Sequence, residues 1–94
     1  MAKSFICIPR MEMNVSIEYI RKTFDKLGIG TIQKVAEIPL HNDPNYKRIM
    51  IYVSWNQNSP RSNYILSRFN EGKNVKLVHD GPWYWKMVLG RTTY

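Results

Sequence analysis

The stretch KRIMIYVSW, residues 47–55, decides the fold that we predict for this chain. Isoleucine, tyrosine, valine and tryptophan are strand formers, and in a strand successive side chains point to opposite faces. The alternate set expected to face a core consists of Ile51, Val53 and Trp55. Met50 and Tyr52 then point the other way, behind the basic pair Lys47 and Arg48. The stretch predicts a strand that carries an exposed aromatic ring beside positive charge.

A first strand and a helix are predicted before this stretch. Residues 5–8, Phe-Ile-Cys-Ile, are apolar strand formers. Over residues 15–27 the apolar side chains recur at spacings of three and four, which indicates one apolar stripe on a helix. This stripe consists of Ile17, Ile20, Phe24 and Leu27. Ser16 or Asn14 can cap the helix, and Gly28 stands where a left-handed C-terminal residue is expected.

The segment between that helix and the central strand predicts a second strand over residues 31–38. Its residues Ile32 and Val35 are three apart, so a β-bulge is needed to keep both on one face. A polar loop with two prolines is expected at residues 39–47, before the strand at 48–55.

A second helix is predicted after the central strand. Ser59 is its expected N-cap, Pro60 its first residue, and Gly72 its stop. Its apolar stripe consists of Ile65, Leu66 and Phe69.

The chain ends in a predicted hairpin, with strands at residues 75–79 and 83–89 and a turn at Asp80-Gly81. The larger apolar set of the last strand is expected in the core and consists of Trp83, Trp85, Met87 and Leu89. The set on the opposite face is then Tyr84, Lys86 and Val88. The reverse register, which would expose two tryptophans, stays open as an alternative.

The order of these elements predicts a single α+β domain over residues 1–94, a ferredoxin-like βαββαβ sandwich. We expect a four-stranded antiparallel sheet, two helices on one face, and an extra C-terminal hairpin strand. The other face of the sheet is then open. Its expected residues are Cys7, Met50, Tyr52, Tyr84, Lys86 and Val88, and its expected rim is Arg10, Lys47, Arg48, Lys76 and Arg91.

The charge of the chain favours a polyanionic partner. Fourteen Lys and Arg stand against seven Asp and Glu, for a net charge of +7. A base can stack on an aromatic ring while neighbouring cations contact phosphates. The predicted open face therefore indicates non-catalytic binding of single-stranded RNA, or less favourably of single-stranded DNA, with Tyr52 stacking one base and Tyr84 a second.

RIMIYVSW, residues 48–55, resembles the longer signature of the RNA recognition motif, with a basic residue first, an aromatic fifth, valine sixth and an aromatic eighth. ICIPRM, residues 6–11, lies where the shorter signature of that family belongs. The resemblance spans about residues 4–90. It implies a sheet on which aromatic side chains stack bases. Carried over residue by residue, it matches Arg48 and Tyr52.

The chain departs from that pattern at three positions. Ile49 stands in place of glycine, Met50 in place of an aromatic, and Cys7 at the stacking position of the shorter signature. FICIPR (residues 5–10) and DGPWYWK (residues 80–86) are also similar to small proteins of this kind encoded by large nucleocytoplasmic DNA viruses. With one matching aromatic, modest affinity and shallow sequence preference are expected.

The departures also support a second hypothesis, in which the same face is a protein-interaction or homo-oligomeric assembly surface. An apolar patch of Cys7, Met50, Tyr52 and Val88 has the composition of an interface core. The net charge and Lys86 argue against this alternative.

Catalytic and metal sites find little support in the sequence. Acylphosphatases share the predicted topology but need a glycine-rich loop after the first strand, where this chain reads EMNV at residues 12–15. His41 and His79 have no cysteine or acidic neighbours at metal-ligand spacing. We therefore predict no enzyme activity, no small-molecule substrate, no cofactor and no metal.

The single cysteine, Cys7, excludes an intrachain disulfide and favours a reducing intracellular compartment, cytoplasm or nucleus. A signal peptide is not expected, and no apolar run approaches the length of a membrane span.

Overall fold

The computed structural model describes residues 2–81 and 83–93, with side chains described for residues 5–78, 81 and 83–90. Its elements along the chain are β1 (Ala2–Glu12), α1 (Ile17–Leu27), β2 (Gly30–Leu40), β3 (Asp43–Trp55), α2 (Pro60–Asn70), β4 (Val75–Asp80) and β5 (Trp83–Thr93). Within these residues, neither helix has the length and apolar character needed to cross a membrane. The class is α+β.

The strands of the described residues form one antiparallel sheet in the order β2-β3-β1-β5-β4. The predicted ferredoxin-like sheet of four strands is wrong, because that topology places the fourth strand of the chain beside the first. Here β5 pairs with β1 through residues 88–93, and its other half, residues 83–87, pairs with β4. β4 has 6 residues, whereas β5 has 11 and extends beyond the hairpin, so β5 has room to pair with both neighbours. The edge position therefore belongs to β4.

A long hairpin joins β2 and β3, and the predicted loop at residues 39–47 is wrong. Pro39 pairs with Lys47, and Leu40 pairs with Asp43 across a two-residue turn. The ladder is irregular between Pro39 and Leu40, which is where a residue without an N–H donor is tolerated. Polar residues and prolines thus occupy the far end of a paired hairpin.

Two irregularities shape the strands. The predicted bulge in β2 is confirmed, with a register shift between Ile32 and Lys34. β1 is longer than predicted and contains a second shift, between Ile8 and Met11. Pro9 lies inside this shift, so the strand continues past it to Glu12.

Both helices begin as their sequences predict. The Ser16 side chain accepts a hydrogen bond from the Tyr19 backbone N–H at 3.1 Å. Ser59 accepts one from the Ser62 N–H at 3.3 Å, just before the proline that begins α2. Gly28 ends α1 in the left-handed conformation, with φ of 67°. The capping predictions for both helices are confirmed.

The two helices pack against the same face of the sheet. Their buried apolar side chains are Ile20, Phe24, Ile65 and Phe69. The strands add Ile6, Ile8, Met11, Ile49, Ile51, Leu77, Trp85 and Met87 to the same cluster. Because successive strand residues point to opposite faces, the residues between these lie on the face that neither helix covers.

The predicted core set of β5 is confirmed at its centre and wrong at its start. Trp85 is 3% exposed and Met87 is fully buried, while Leu89 packs against the core. Trp83 is 65% exposed. It is the first residue of β5 and pairs with Asp80 at the end of the hairpin, so the helices do not reach it.

Candidate nucleic-acid interface

The face of the sheet opposite the helices, called the open face below, carries side chains from all of the strands. Its described members are Phe5, Cys7, Pro9, Arg10 and Glu12 of β1, Lys34, Ala36 and Ile38 of β2, Tyr46, Arg48, Met50 and Tyr52 of β3, Lys76 and Val78 of β4, and Tyr84, Lys86 and Val88 of β5. Most of the residues predicted from sequence for this face are therefore brought together.

Tyr52 lies on β3, at the end of the open face where Phe5 of β1 lies, and is half-buried. Its ring centroid is 5.1 Å from that of Phe5, with an angle of 40° between the planes. The Lys34 ammonium lies 5.8 Å from the same ring, on the neighbouring strand. Phe5 and Lys34 were not predicted as site residues. The alternation of side chains along β1 could have predicted Phe5 for this face, because Phe5 is two residues before Cys7 and points to the same side of the sheet.

Tyr46 forms a second aromatic position on β3. The Arg10 guanidinium lies over its ring at 4.0 Å from the centroid and also donates to the Asp43 carboxylate at 2.8 Å. Arg10 stays 62% exposed, so the guanidinium can meet a ligand on its free side. The sequence did not reveal Tyr46, because its segment was predicted to be a loop.

Tyr84 is a third aromatic position, on β5, and is 49% exposed. The Lys76 ammonium lies 5.0 Å from its ring centroid. Lys76 and Lys86 stand directly opposite each other in the ladder between β4 and β5. Like charges in this arrangement repel, and a bound anion between them would relieve that repulsion.

An apolar row crosses the centre of the open face. Ala36 pairs with Met50, Met50 with Cys7, and Cys7 with Val88, so four strands contribute one residue each. All four side chains are half-buried. Burial raises the pKa of the Cys7 thiol, and the Arg48 charge opposes this shift in part. Cys7 therefore stays protonated near neutral pH and acts as an apolar contact surface.

Lys47 was expected at the rim of the open face, and this prediction is wrong because Lys47 lies on the opposite side of the sheet. The side chain is 3% exposed. Its ammonium donates to the Val15 carbonyl at 2.6 Å and forms an ion pair with Glu37. These partners satisfy a buried charge that would otherwise be costly. Arg91, also predicted for the rim, lies outside the residues whose side chains are described.

The electrostatic balance of the open face is positive. Its cations are Arg10, Lys34, Arg48, Lys76 and Lys86. Two carboxylates lie at one end, where Asp43 is paired with Arg10 and Glu12 lies opposite Tyr46. Away from that end, the described side chains of the face include four cations and no carboxylate.

In the part of the chain that the structure describes, no three His, Cys, Asp or Glu side chains lie close enough together to bind a metal ion. Protein-family models, curated proteins and solved structures were compared with the chain, and none of them matches it.

Proposed function

We propose that the chain binds single-stranded RNA, or less favourably single-stranded DNA, across the open face without catalysing a reaction. The observation that carries this proposal is the repeated pairing of a tyrosine with a cation. Tyr46, Tyr52 and Tyr84 each have an Arg or Lys head group within 4.0 to 5.8 Å of the ring centroid. A ring that stacks a base and a cation that meets the adjacent phosphate are the two elements of single-strand recognition.

The rings are spaced widely enough to contact separate, non-adjacent bases of one extended strand. Tyr46 and Tyr52 are six residues apart on β3, which is about 20 Å at the rise of a strand. Tyr84 lies beyond β1 on β5. Each ring can therefore stack a different base of one strand. The match of Arg48 and Tyr52 to the longer RNA recognition motif signature supports the same function.

The first test is the salt dependence of RNA binding. Fluorescence anisotropy of a labelled single-stranded RNA gives Kd at several salt concentrations. Arg48 and Lys86 are exposed cations of the open face. The double variant Arg48→Gln/Lys86→Gln is expected to lower the slope of log K against log salt by about 1.4, because each lost phosphate contact contributes about 0.7.

A charge-matched control is available on α1. Lys22 and Lys26 are exposed on the helical side of the molecule, and Lys22→Gln/Lys26→Gln removes the same charge. This control is expected to retain the wild-type slope. Equal slopes for both double variants, or no binding by the wild-type protein, would reject the open face as the RNA surface.

The second candidate function is assembly with another protein or with a second copy through the open face. The apolar row of Ala36, Met50, Cys7 and Val88 is the observation that favours it, since apolar side chains at the centre of a polar rim resemble an interface core. Light scattering over a range of protein concentrations measures the mass in solution. A dimeric mass that reverts to the monomer in Met50→Lys would support assembly, whereas a monomer at all concentrations rejects the homodimer.

A further inference from the structure

A small pocket lies at one end of the sheet, where β1 leads into α1 and β5 begins. It has a volume of ≈ 300 Å³ and is lined by Glu12, Asn14, Trp83 and Tyr84. This volume is at the lower end of the range for small-ligand sites. Trp83 and Tyr84 are 65% and 49% exposed, so the pocket offers large aromatic surfaces that the core does not use.

The polar residues of the lining are Glu12 and Asn14, whose side chains carry a carboxylate and an amide. Glu12 and Asn14 are both exposed. Within the part of the chain that the structure describes, the Glu12 carboxylate takes part in no ion pair or side-chain hydrogen bond. A carboxylate accepts hydrogen bonds and repels phosphate, so the group that it meets must present N–H or O–H donors. Glu12, the charged residue of this lining, is therefore opposite in sign to the cations of the remaining open face.

Guanine is the base that fits this pattern of donors and acceptors. Its N1–H and N2–H groups are adjacent donors, which one carboxylate can accept together, and its O6 accepts from an amide such as that of Asn14. Adenine, cytosine and uracil do not present two adjacent donors on that edge. The lining includes the exposed side chains of Trp83 and Tyr84, and one of their rings can supply the stacking that holds an unpaired base.

We infer that this pocket binds a guanine base of the single strand, with Glu12 as the residue that determines specificity. The inference rests on the proposed function, to which it adds a base preference. The neighbouring Tyr46 and Arg10 hold the adjoining nucleotides, since Tyr46 pairs with Glu12 in the ladder between β1 and β3.

The test compares labelled oligouridine strands that carry one central guanine, adenine or cytosine. Wild-type protein is expected to bind the guanine strand about tenfold more tightly than the others, the size of effect that one good bidentate contact to a base supplies. Glu12→Gln replaces one of the two acceptors with a donor, so the preference is expected to fall to about twofold or less. Glu18→Gln, which removes the same charge from the exposed first turn of α1, should keep the full preference.

The outcomes separate this inference from the proposed function. RNA binding without a guanine preference, or a preference that survives in Glu12→Gln, overturns the pocket and leaves RNA binding in place. If no RNA binds, guanosine and adenosine are titrated while the indole N–H resonance of Trp83, assigned with Trp83→Phe, is followed by NMR. A saturable shift with guanosine alone supports the pocket, and no shift overturns it.

Discussion

Replacing Tyr52 with leucine is expected to weaken the binding of single-stranded RNA by about 1–3 kcal/mol, or about 5- to 150-fold in Kd. Tyr52 presents a half-buried ring on the open face, and leucine has no π-face on which a base can stack. Leucine keeps an apolar side chain against Phe5, which lies 5.1 Å away between ring centroids. The fold should therefore persist, and the loss should appear in anisotropy titrations rather than in the thermal unfolding temperature.

Two further variants make this expectation specific. Tyr52→Phe retains the ring and should bind RNA within about twofold of wild type, since stacking requires no hydroxyl. Tyr64 on α2 is 59% exposed and lies 6.0 Å from the Arg68 guanidinium. Tyr64→Leu therefore removes a comparable ring and cation pair from the helical side. Equal losses in Tyr52→Leu and Tyr64→Leu would show that stacking on the open face does not carry the binding.

Local sequence patterns predict the helix ends and the faces of the regular strands correctly. Ser16, Gly28 and Ser59 cap the helices as predicted because a cap depends on a few neighbouring residues. Alternation placed Tyr52 and Tyr84 on the open face because β3 and β5 are regular around them. Both successes depend on contacts that are close in sequence.

The errors concern contacts that are distant in sequence. Lys47 is buried because it meets Val15, 32 residues away, and Glu37, 10 residues away, and lysine without such partners is seldom buried. β3 begins at Asp43 and includes Pro44 and polar residues, and its Tyr46 pairs with Glu12 of β1, so Tyr46 belongs to the sheet rather than to a loop. No local pattern of residue types distinguishes a buried lysine such as Lys47 from an exposed one, or a paired polar segment from a loop.

The order of the strands in the sheet also depends on contacts between residues that are distant in sequence. Both hairpin strands, β4 and β5, have residues suited to pairing with β1. The additional length of β5 gives it room to pair with both β1 and β4. This placement matters for the candidate site, because it brings Tyr84 and Lys86 to the strand beside β1. It also places Trp83 at the end of the sheet near Glu12, where it lines the pocket instead of the core.

Gly30→Ala is expected to lower the free energy of unfolding by about 3 kcal/mol, through a clash that the surrounding structure cannot relieve. Gly30 begins β2 and pairs with Trp55. An added Cβ would lie 2.1 Å from the Ser54 carbonyl oxygen and 2.9 Å from its carbon. These are backbone atoms of β3, so relief requires the two strands to separate. Thermal unfolding should occur about 10–25 °C lower than in wild type.

Gly28 provides the control for this substitution, two residues earlier in the chain. Its φ of 67° disfavours a side chain, but an added Cβ would meet nothing within 4 Å. Gly28→Ala therefore carries only the cost of the left-handed conformation, about 1–2 kcal/mol. Equal unfolding temperatures for the two variants would contradict the close approach of β2 and β3 at Gly30. A much lower temperature for Gly30→Ala would confirm that the backbones of β2 and β3 approach too closely at Gly30 to admit a side chain.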